Sequence, residues 1–260
     1  MKSLSKSQLD HFHKKGYIKV PNLLKREIVL KMENEIWTEL NEDFNIQKED
    51  KSTWKQPLHS PRKAKYSITN EELINNEFRT VIDLLIGKST WEEPKSWGGF
   101  LVNFPDHSDE VWSLDNKLWH WDYELFRKPE LGGLVIFSFF SDVKEKGGGT
   151  LVVSGSHLAL RKYDQELSLE QRDMKHGYHR KHFMKTHPYF KELTDPKLKF
   201  KDHIDWFMNE EQSVDGVALK VEELTGLPGD VVFCHPRLIH APAGINLGDY
   251  PRIMRTKFLW

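Results

Sequence analysis

Apolar positions in the first third of the chain repeat at three- and four-residue intervals, which is the period of an amphipathic helix. The clearest stripe consists of Ile28, Val29, Met32, Ile36 and Leu40. A polar stretch over residues 7–15 predicts a shorter helix ahead of it, ending at a glycine. The chain therefore begins with a helical region.

The sequence contains signals for both the start and the end of a further helix. Thr69 and Glu72 have the spacing of a capping box, and Gly87 lies where a C-terminal cap is expected. The apolar stripe between these signals is made of Leu73, Phe78, Val81, Ile82 and Leu85. We predict one continuous helix over this segment.

The pattern changes after residue 97, where short runs rich in valine, phenylalanine and isoleucine are separated by glycine, proline and aspartate. Such runs are typical of strands. They cover residues 99–104, 133–140, 150–153, 230–235 and 253–260. A polar stretch over residues 158–221 separates the third run from the fourth and is predicted to be helical and loop-like. Many short strands favour a sandwich or a barrel-like jelly roll, with this stretch as an insertion.

Composition narrows the class of protein. The 260 residues are 38% hydrophobic and 30% charged, as expected of a globular domain, and the formal net charge of −1 argues against nucleic-acid and membrane-surface binding. Cys234 is the only cysteine, so no intramolecular disulfide can form. The N-terminus has no apolar signal-peptide core, and we expect a cytoplasmic protein.

Candidate chemistry begins with His120 and Asp122, which are separated by one residue. At the end of a strand, residues two apart point to the same side and can bind one ion. Two histidines and one carboxylate are the donor set of non-haem iron(II) sites, so a third ligand is needed from a distant strand. Taken alone, this short motif is also compatible with a surface histidine beside an acid.

Several ordered motifs resemble the phytanoyl-CoA dioxygenase family of iron(II)- and 2-oxoglutarate-dependent oxygenases, almost from end to end of the chain. They are residues 9–21 (LDHFHKKGYIKVP), 101–105 (LVNFP), 148–157 (GGTLVVSGSH) and 229–240 (GDVVFCHPRLIH), followed by Asn246 and Arg252. The resemblance implies a mainly β fold with flanking helices: a cupin-like double-stranded β-helix (jelly roll) with N-terminal helices packed on one sheet. It also implies a single domain over residues 1–260, in which the insertion at about 158–221 acts as a lid.

Carried over position by position, the resemblance makes His120, Asp122 and His240 the catalytic metal ligands. It gives His235 a packing or supporting role and assigns the distal carboxylate of 2-oxoglutarate to Arg252. Arg255 is the nearby alternative.

The chain departs from the family pattern near the cosubstrate. The family usually has a small hydroxyl residue two positions after the distal histidine, whereas this chain has Pro242. Thr150 or Ser138 is expected to supply a hydroxyl instead. Asn103 and Trp121 complete the candidate cosubstrate-binding set, although Trp121 is equally compatible with filling the barrel.

The implied reaction uses iron(II), 2-oxoglutarate and O2 to hydroxylate a small molecule, releasing succinate and CO2. Desaturation, cyclisation or epimerisation at the same iron site is an alternative, and so is a non-catalytic jelly-roll binding protein. The retained Asp122 argues against halogenation. The basic, histidine-rich and aromatic segment at residues 175–189 suggests an anionic or aromatic substrate, or else a solvated helix face. A zinc site of His176, His179, His182 and His187 is disfavoured, because it lacks cysteine and a recognisable spacing.

Overall fold

Two antiparallel sheets face each other in the computed structural model, which describes residues 4–54, 59–106, 112–114, 118–122, 132–195 and 202–260. The larger sheet has the strand order β1-β7-β3-β9-β2, and the smaller sheet has the order β5-β6-β4-β8. The strands are β1 (Tyr17–Val20), β2 (Gly99–Asn103), β3 (Leu134–Phe139), β4 (Thr150–Ser154), β5 (Gln212–Val214), β6 (Val217–Glu223), β7 (Val231–Cys234), β8 (His240–Pro242) and β9 (Arg252–Leu259). This is the predicted double-stranded β-helix.

The helices fall into an N-terminal group and an inserted group. They are α1 (Lys6–Lys15), α2 (Arg26–Phe44), α3 (Asn70–Leu73), α4 (Asn76–Ile86), α5 (Ser156–Glu166), α6 (Leu169–Arg172), α7 (His176–Thr186), α8 (Pro188–Leu193) and α9 (Asp202–Ile204). Within the described ranges, no helix has the length and hydropathy needed to cross a membrane.

Three apolar clusters define the layers of the molecule. The N-terminal helices cover the outer face of the larger sheet, where Met32 and Phe78 pack with Phe100 and Ile253. The two sheets enclose a second cluster that includes Phe137, Val152 and Met254. The inserted helices cover the outer face of the smaller sheet. The predicted packing of N-terminal helices on one sheet is therefore confirmed.

The first two helix predictions hold. Helix α1 begins at a capping box of Ser5 and Gln8 and ends at Gly16, whose φ of 84° places it in the left-handed region that glycine adopts without strain. Helix α2 buries Met32 and Ile36 of the predicted stripe.

The single helix predicted from Thr69 to Gly87 is wrong, because the structure has two helices there. Helix α3 ends at Ile74, whose backbone is extended. Asn75 then starts α4, and its side chain accepts a hydrogen bond from the backbone N–H of Phe78 at 2.8 Å. A second N-cap thus interrupts an otherwise continuous apolar stripe.

The insertion at residues 158–221 is also more than helix and loop. Its last part forms β5 and most of β6, and β6 pairs with β4 along the register Val153↔Val221. Residues 196–201 of the insertion lie outside the described part of the chain. Phe183, Phe190 and Phe207 from the insertion are buried beside Leu151 of the smaller sheet. Much of the predicted lid is therefore part of the core.

Candidate metal centre

Two short stretches of chain bring the predicted metal ligands together. His120 forms an isolated antiparallel bridge with His240, the first residue of β8. The N–H of His120 donates to the carbonyl of His240 at 3.0 Å, and the N–H of His240 donates back at 2.8 Å. Trp119 and Trp121, which alternate with the two ligands, lie in the apolar cluster under the inserted helices. His120 and Asp122 therefore face the space between the sheets.

The three side chains converge on one point. One ligand atom from each of His120, Asp122 and His240 lies within 4.8 Å of the others. His240 Nε2 is 3.1 Å from one carboxylate oxygen of Asp122, and His120 Nε2 is 3.6 Å from the other. Among the described residues, this is the one group of three or more His, Cys, Asp or Glu side chains that converges in this way. The four histidines of the alternative zinc site are not such a group.

Hydrogen bonding directs the imidazole lone pairs toward this point. Nδ1 of His120 lies 2.6 Å from the carbonyl of Leu118, and Nδ1 of His240 lies 2.9 Å from the carbonyl of Leu238. A carbonyl oxygen only accepts, so each Nδ1 carries the proton and each Nε2 presents a lone pair. A hydrogen bond from the ring nitrogen that does not bind the metal is what usually orients a histidine ligand.

The carboxylate fits a cation as well. Oδ2 of Asp122 is buried without a hydrogen-bond partner among the described residues, although it lies against a nitrogen lone pair. Two electron-rich atoms at this distance repel each other unless a positive charge lies between them. Two imidazole nitrogens and a carboxylate therefore fit a divalent transition-metal ion.

The electrostatics of the site favour the protonation states in which His120 and Asp122 can bind a metal. Burial lowers the pKa of His120, and repulsion from Arg180 and from His240 when that ring is protonated lowers it further. Burial acts to raise the pKa of Asp122, but the close contact with His240 and the attraction of a protonated His240 or His120 for the ionised carboxylate outweigh burial, so that this pKa is lowered. The free imidazole of His120 and the ionised carboxylate of Asp122 are the forms that bind a metal.

Arg252 and Arg255 lie on opposite faces of β9. Arg252 points between the sheets, with Nη1 3.7 Å from the sulfur of Met254. Arg255 points toward the N-terminal helices, where it lies near the sulfur of Met32 and over the ring of Phe100 at 5.2 Å. The two-residue period of the strand thus brings Arg252, and not Arg255, into the space that the metal ligands face.

Arg252 is a buried cation that has no close anion in the described ranges of the chain. It is 3% exposed, and among the described residues its Nε has no hydrogen-bond partner and no carboxylate lies within 4 Å. Burial lowers its pKa to about 10, with the charge of Glu223 opposing this shift. A guanidinium in such a position is stabilised by a ligand carboxylate, to which it can donate two hydrogen bonds.

Two further predicted residues lie on the same interior face. Asn103 is opposite Arg252 in the β2–β9 register, and it is buried. Thr150 is opposite Pro242 in the β4–β8 register. Directly opposed residues share a face, so the hydroxyl of Thr150 is beside the position at which Pro242 lacks one.

Ser138 and Trp121 are not placed as predicted. Ser138 lies between Phe137 and Phe139, which face the interior, and it is opposite Arg255, so it faces the N-terminal helices instead. Trp121 packs edge-on against His176 and Phe183 of α7, at centroid distances of 5.4 Å and 5.9 Å. Neither side chain shares the interior face with Arg252.

His235 and Asn246 take part in structural contacts. The ring of His235 packs on the ring of His157 at 4.8 Å, and its Nδ1 accepts a hydrogen bond from the N–H of Arg237 at 3.0 Å. Asn246 is fully buried and donates to the carbonyls of Asn103 and Tyr250. It thereby fixes the loop before β9.

The sequence did not place two residues of α7, His176 and Arg180, close to the metal ligands. His176 contacts Trp121 and adds to the lowering of the pKa of Asp122, and Arg180 adds to the lowering of the pKa of His120. Their four-residue spacing puts both on one face of the helix. This spacing is apparent in the sequence of residues 175–189. Nothing in the sequence, however, indicated that α7 lies over residues 120–122.

Comparison with protein families gives one match over most of the chain. The family model described as phytanoyl-CoA dioxygenase (PhyH) matches residues 12–254, which include all the predicted site residues. A search of curated proteins finds no match.

Solved structures share the fold at low sequence identity. HygX from Streptomyces hygroscopicus, with nickel and 2-oxoglutarate bound, is 13% identical with a TM-score of 0.54, covering 98% of this chain and 86% of that one. EctD from S. alaskensis with bound Fe is 16% identical with a TM-score of 0.52, covering 98% and 75%. The non-heme alpha ketoglutarate dependent epimerase SnoN from nogalamycin biosynthesis is 14% identical with a TM-score of 0.51, covering 98% and 81%. At these identities the likeness is one of fold.

Proposed function

The chain belongs to the phytanoyl-CoA dioxygenase family, and from this premise we propose that it is an iron(II)- and 2-oxoglutarate-dependent dioxygenase that hydroxylates a small molecule. The observation that carries the proposal is the convergence of His120, Asp122 and His240 around a buried carboxylate oxygen that has no hydrogen-bond partner in the described part of the chain.

The three ligands would hold iron(II) through Nε2 of each histidine and one oxygen of Asp122. Because all three come from one side, the opposite positions stay open for a chelating cosubstrate and O2. The carbonyls of Leu118 and Leu238 keep both rings in the orientation that this binding requires.

Arg252 would bind the distal carboxylate of 2-oxoglutarate from the opposite sheet. Thr150 would donate its hydroxyl to the same carboxylate, since Pro242 cannot, and Asn103 would supply a neighbouring amide. The large residues around them, Phe137 and Met254 among them, keep water away from the guanidinium and strengthen its attraction for an anion.

When bound, iron(II) with 2-oxoglutarate and O2 supplies the oxidation of a C–H bond, with succinate and CO2 as the products of the cosubstrate. The chain's own contribution is to position the reactants and to exclude water. Hydroxylation requires only that the substrate carbon be held beside the metal, whereas desaturation, cyclisation or epimerisation each require a further constraint on the substrate.

The substrate is proposed to be a small molecule with an anionic group. Helix α7 presents His176 and Arg180 on the side near the metal ligands, and Arg180 is exposed to solvent. A guanidinium there can bind a carboxylate or phosphate. A panel of acidic, neutral and basic metabolites tests this class, measured as stimulation of succinate formation. Stimulation by neutral or basic compounds alone would contradict it.

Metal binding and cosubstrate turnover test the proposed function together. Purified protein is loaded with iron(II) without oxygen, and bound iron is measured after gel filtration. Succinate is then measured after 2-oxoglutarate and O2 are added. We expect about one iron per chain and slow succinate formation even without substrate. Each of His120→Ala, Asp122→Ala and His240→Ala should lose most of the iron and nearly all turnover.

His235→Ala is the matched control, because it removes a histidine that lies five residues before the metal ligand His240 and does not converge with the ligands. It should keep iron, with lower thermal stability. Loss of iron in His235→Ala but not in His240→Ala would refute the ligand assignment. Iron binding in the parent protein without succinate formation would favour a non-catalytic binding protein.

A further inference from the structure

A chain of aromatic contacts leads away from the metal ligands through the inserted helices. Trp121 is bonded directly to both His120 and Asp122 in the sequence, and its ring lies 5.9 Å from the ring of Phe183. The ring of Phe183 lies 5.2 Å from the ring of Tyr163 on α5. An easily oxidised indole beside the metal is thus joined through one packed ring to a phenol.

The phenol has a proton acceptor. The hydroxyl of Tyr163 lies 3.0 Å from Nδ1 of His182, to which it can donate. The ring of His182 is stacked on the ring of Tyr178 at 5.7 Å and an interplanar angle of 18°, and Tyr178 is 40% exposed. The contacts therefore continue to the surface of the protein.

A cavity gives small molecules access to the same pair. Its volume is about 510 Å³, and Tyr163, His182, Phe183 and His187 are among its lining residues. It lies on the outer side of the smaller sheet, whereas the metal ligands face the inner side. A reductant in this cavity would be separated from the substrate by the sheet.

The rings of Trp121 and Tyr163 differ in whether a neighbouring group can accept their proton when they are oxidised. Nε1 of Trp121 is buried without a hydrogen-bond partner among the described residues, so an oxidised indole there has no neighbour to accept its proton. Burial raises the pKa of Tyr163 to about 12, with the charge of Tyr178 adding to the effect. The phenol is therefore protonated at neutral pH, and it loses an electron readily only when a base takes the proton at the same time.

We propose that Tyr163 and His182 form a redox site that removes oxidising equivalents from the metal centre by way of Trp121. This inference rests on the proposed function. With iron(II), 2-oxoglutarate and O2 bound and no substrate present, the centre held by His120, Asp122 and His240 would supply an oxidant, and Trp121 would give up one electron to it. Tyr163 returns that electron to Trp121, and its phenolic proton moves to Nδ1 of His182. A one-electron reductant in the cavity, such as ascorbate or a thiol, then reduces the tyrosyl radical while His182 gives the proton back.

The test uses the full-length protein with iron(II), 2-oxoglutarate and O2, and with neither substrate nor reductant. Samples frozen during turnover are examined by electron paramagnetic resonance for a tyrosyl radical, and peptide mass spectrometry measures oxygen added to Trp121. In the parent protein we expect a tyrosyl signal that ascorbate removes. Tyr163→Phe keeps the ring and loses the phenol, so the signal should disappear and oxidation of Trp121 should rise several-fold.

His182→Phe keeps the stacked ring but removes the proton acceptor, so it should weaken the signal and raise oxidation of Trp121 in the same direction. Tyr66→Phe, at a tyrosine that is 73% exposed and outside this chain of contacts, is the control and should match the parent. An unchanged signal and unchanged Trp121 oxidation in Tyr163→Phe would overturn the proposal while succinate formation persists. Absence of succinate formation in the parent protein would overturn the proposed function and this inference together.

Discussion

At the scale of single residues, Arg252 has the most informative environment, because it is a fully buried charge without an ion pair to a described residue. Arg252→Leu should preserve iron binding and remove the partner of the cosubstrate carboxylate. The loss is about 2–5 kcal/mol of binding free energy, so the apparent constant for 2-oxoglutarate should rise by roughly 30-fold or more. Steady-state succinate formation against 2-oxoglutarate concentration measures this change.

Arg255→Leu is the matched control, three residues along the same strand. Its guanidinium contacts Met32 and Phe100 on the helix side, so the variant should change thermal stability and leave the cosubstrate constant unchanged. The reverse result, with the constant raised only in Arg255→Leu, would transfer the role to Arg255.

Some residue assignments followed from the sequence and others did not. The spacing of His120 and Asp122 within a strand-like segment already implies a shared side, and the structure gives them one. The face of β3 on which Ser138 lies was predicted wrongly. The face of a strand residue depends on the register of the strand, and the apolar run around Ser138 does not alternate with polar residues. The role of Trp121 stayed open between cosubstrate binding and packing for a different reason. The helix against which it packs, α7, is distant in sequence.

At the scale of elements, the break between α3 and α4 depends on Asn75. Its side chain accepts from the N–H of Phe78 and also donates to the carbonyl of Leu23 at 3.1 Å. Asn75→Ala should cost about 1–2 kcal/mol of the free energy of unfolding, seen as a lower Tm in thermal melting. Asn76→Ala, at the exposed next position, is the control. Equal Tm values for the two variants would mean that the cap adds nothing to stability.

Elements were predicted well where local signals were complete. The capping box of Thr69 and Glu72 and the glycine after α1 mark helix ends directly in the sequence. The break at Asn75 was missed because the apolar period continues through it. Strand β6 was missed because it follows a long helical stretch, and its pairing with β4, some 70 residues earlier, is a tertiary contact.

At the scale of the whole molecule, the strand order was implied by the family resemblance and not by the residues themselves. Periodicity identifies strands, but it does not say that β7 lies between β1 and β3. Periodicity likewise does not predict that the end of α1, the start of α5 and the end of β7 lie side by side. There the carbonyl of Gly16 accepts from the N–H of His235, and the carbonyl of Lys15 accepts from the N–H of Gly155. Contacts of this kind join the N-terminal helix to both sheets.

The histidine pair at this junction should make the whole fold sensitive to acid. His157 is 6% exposed, with Nε2 3.0 Å from the carbonyl of His13 and its ring on that of His235. Burial lowers the pKa of His157 from 6.5 to about 4, and burial also lowers the pKa of His235. As the pH falls below 6.5 the unfolded chain takes up protons that the folded chain does not, so stability is present at neutral pH and is lost from pH 6.5 down to about 4. For His157 alone the loss is on the order of 3 kcal/mol.

Urea unfolding of the metal-free protein across this pH range measures the effect. His157→Gln keeps a side-chain donor for the carbonyl of His13 and cannot take up a proton. It should be less stable than the parent at pH 7, and its stability should fall less steeply as the pH is lowered. Because the other titratable groups are the same in both proteins, the difference between the two curves reports His157 together with its effect on His235. His11→Gln, at an exposed position on α1, should keep the parent's slope. If His157→Gln also keeps that slope, the histidine pair is not what links this junction to acid stability.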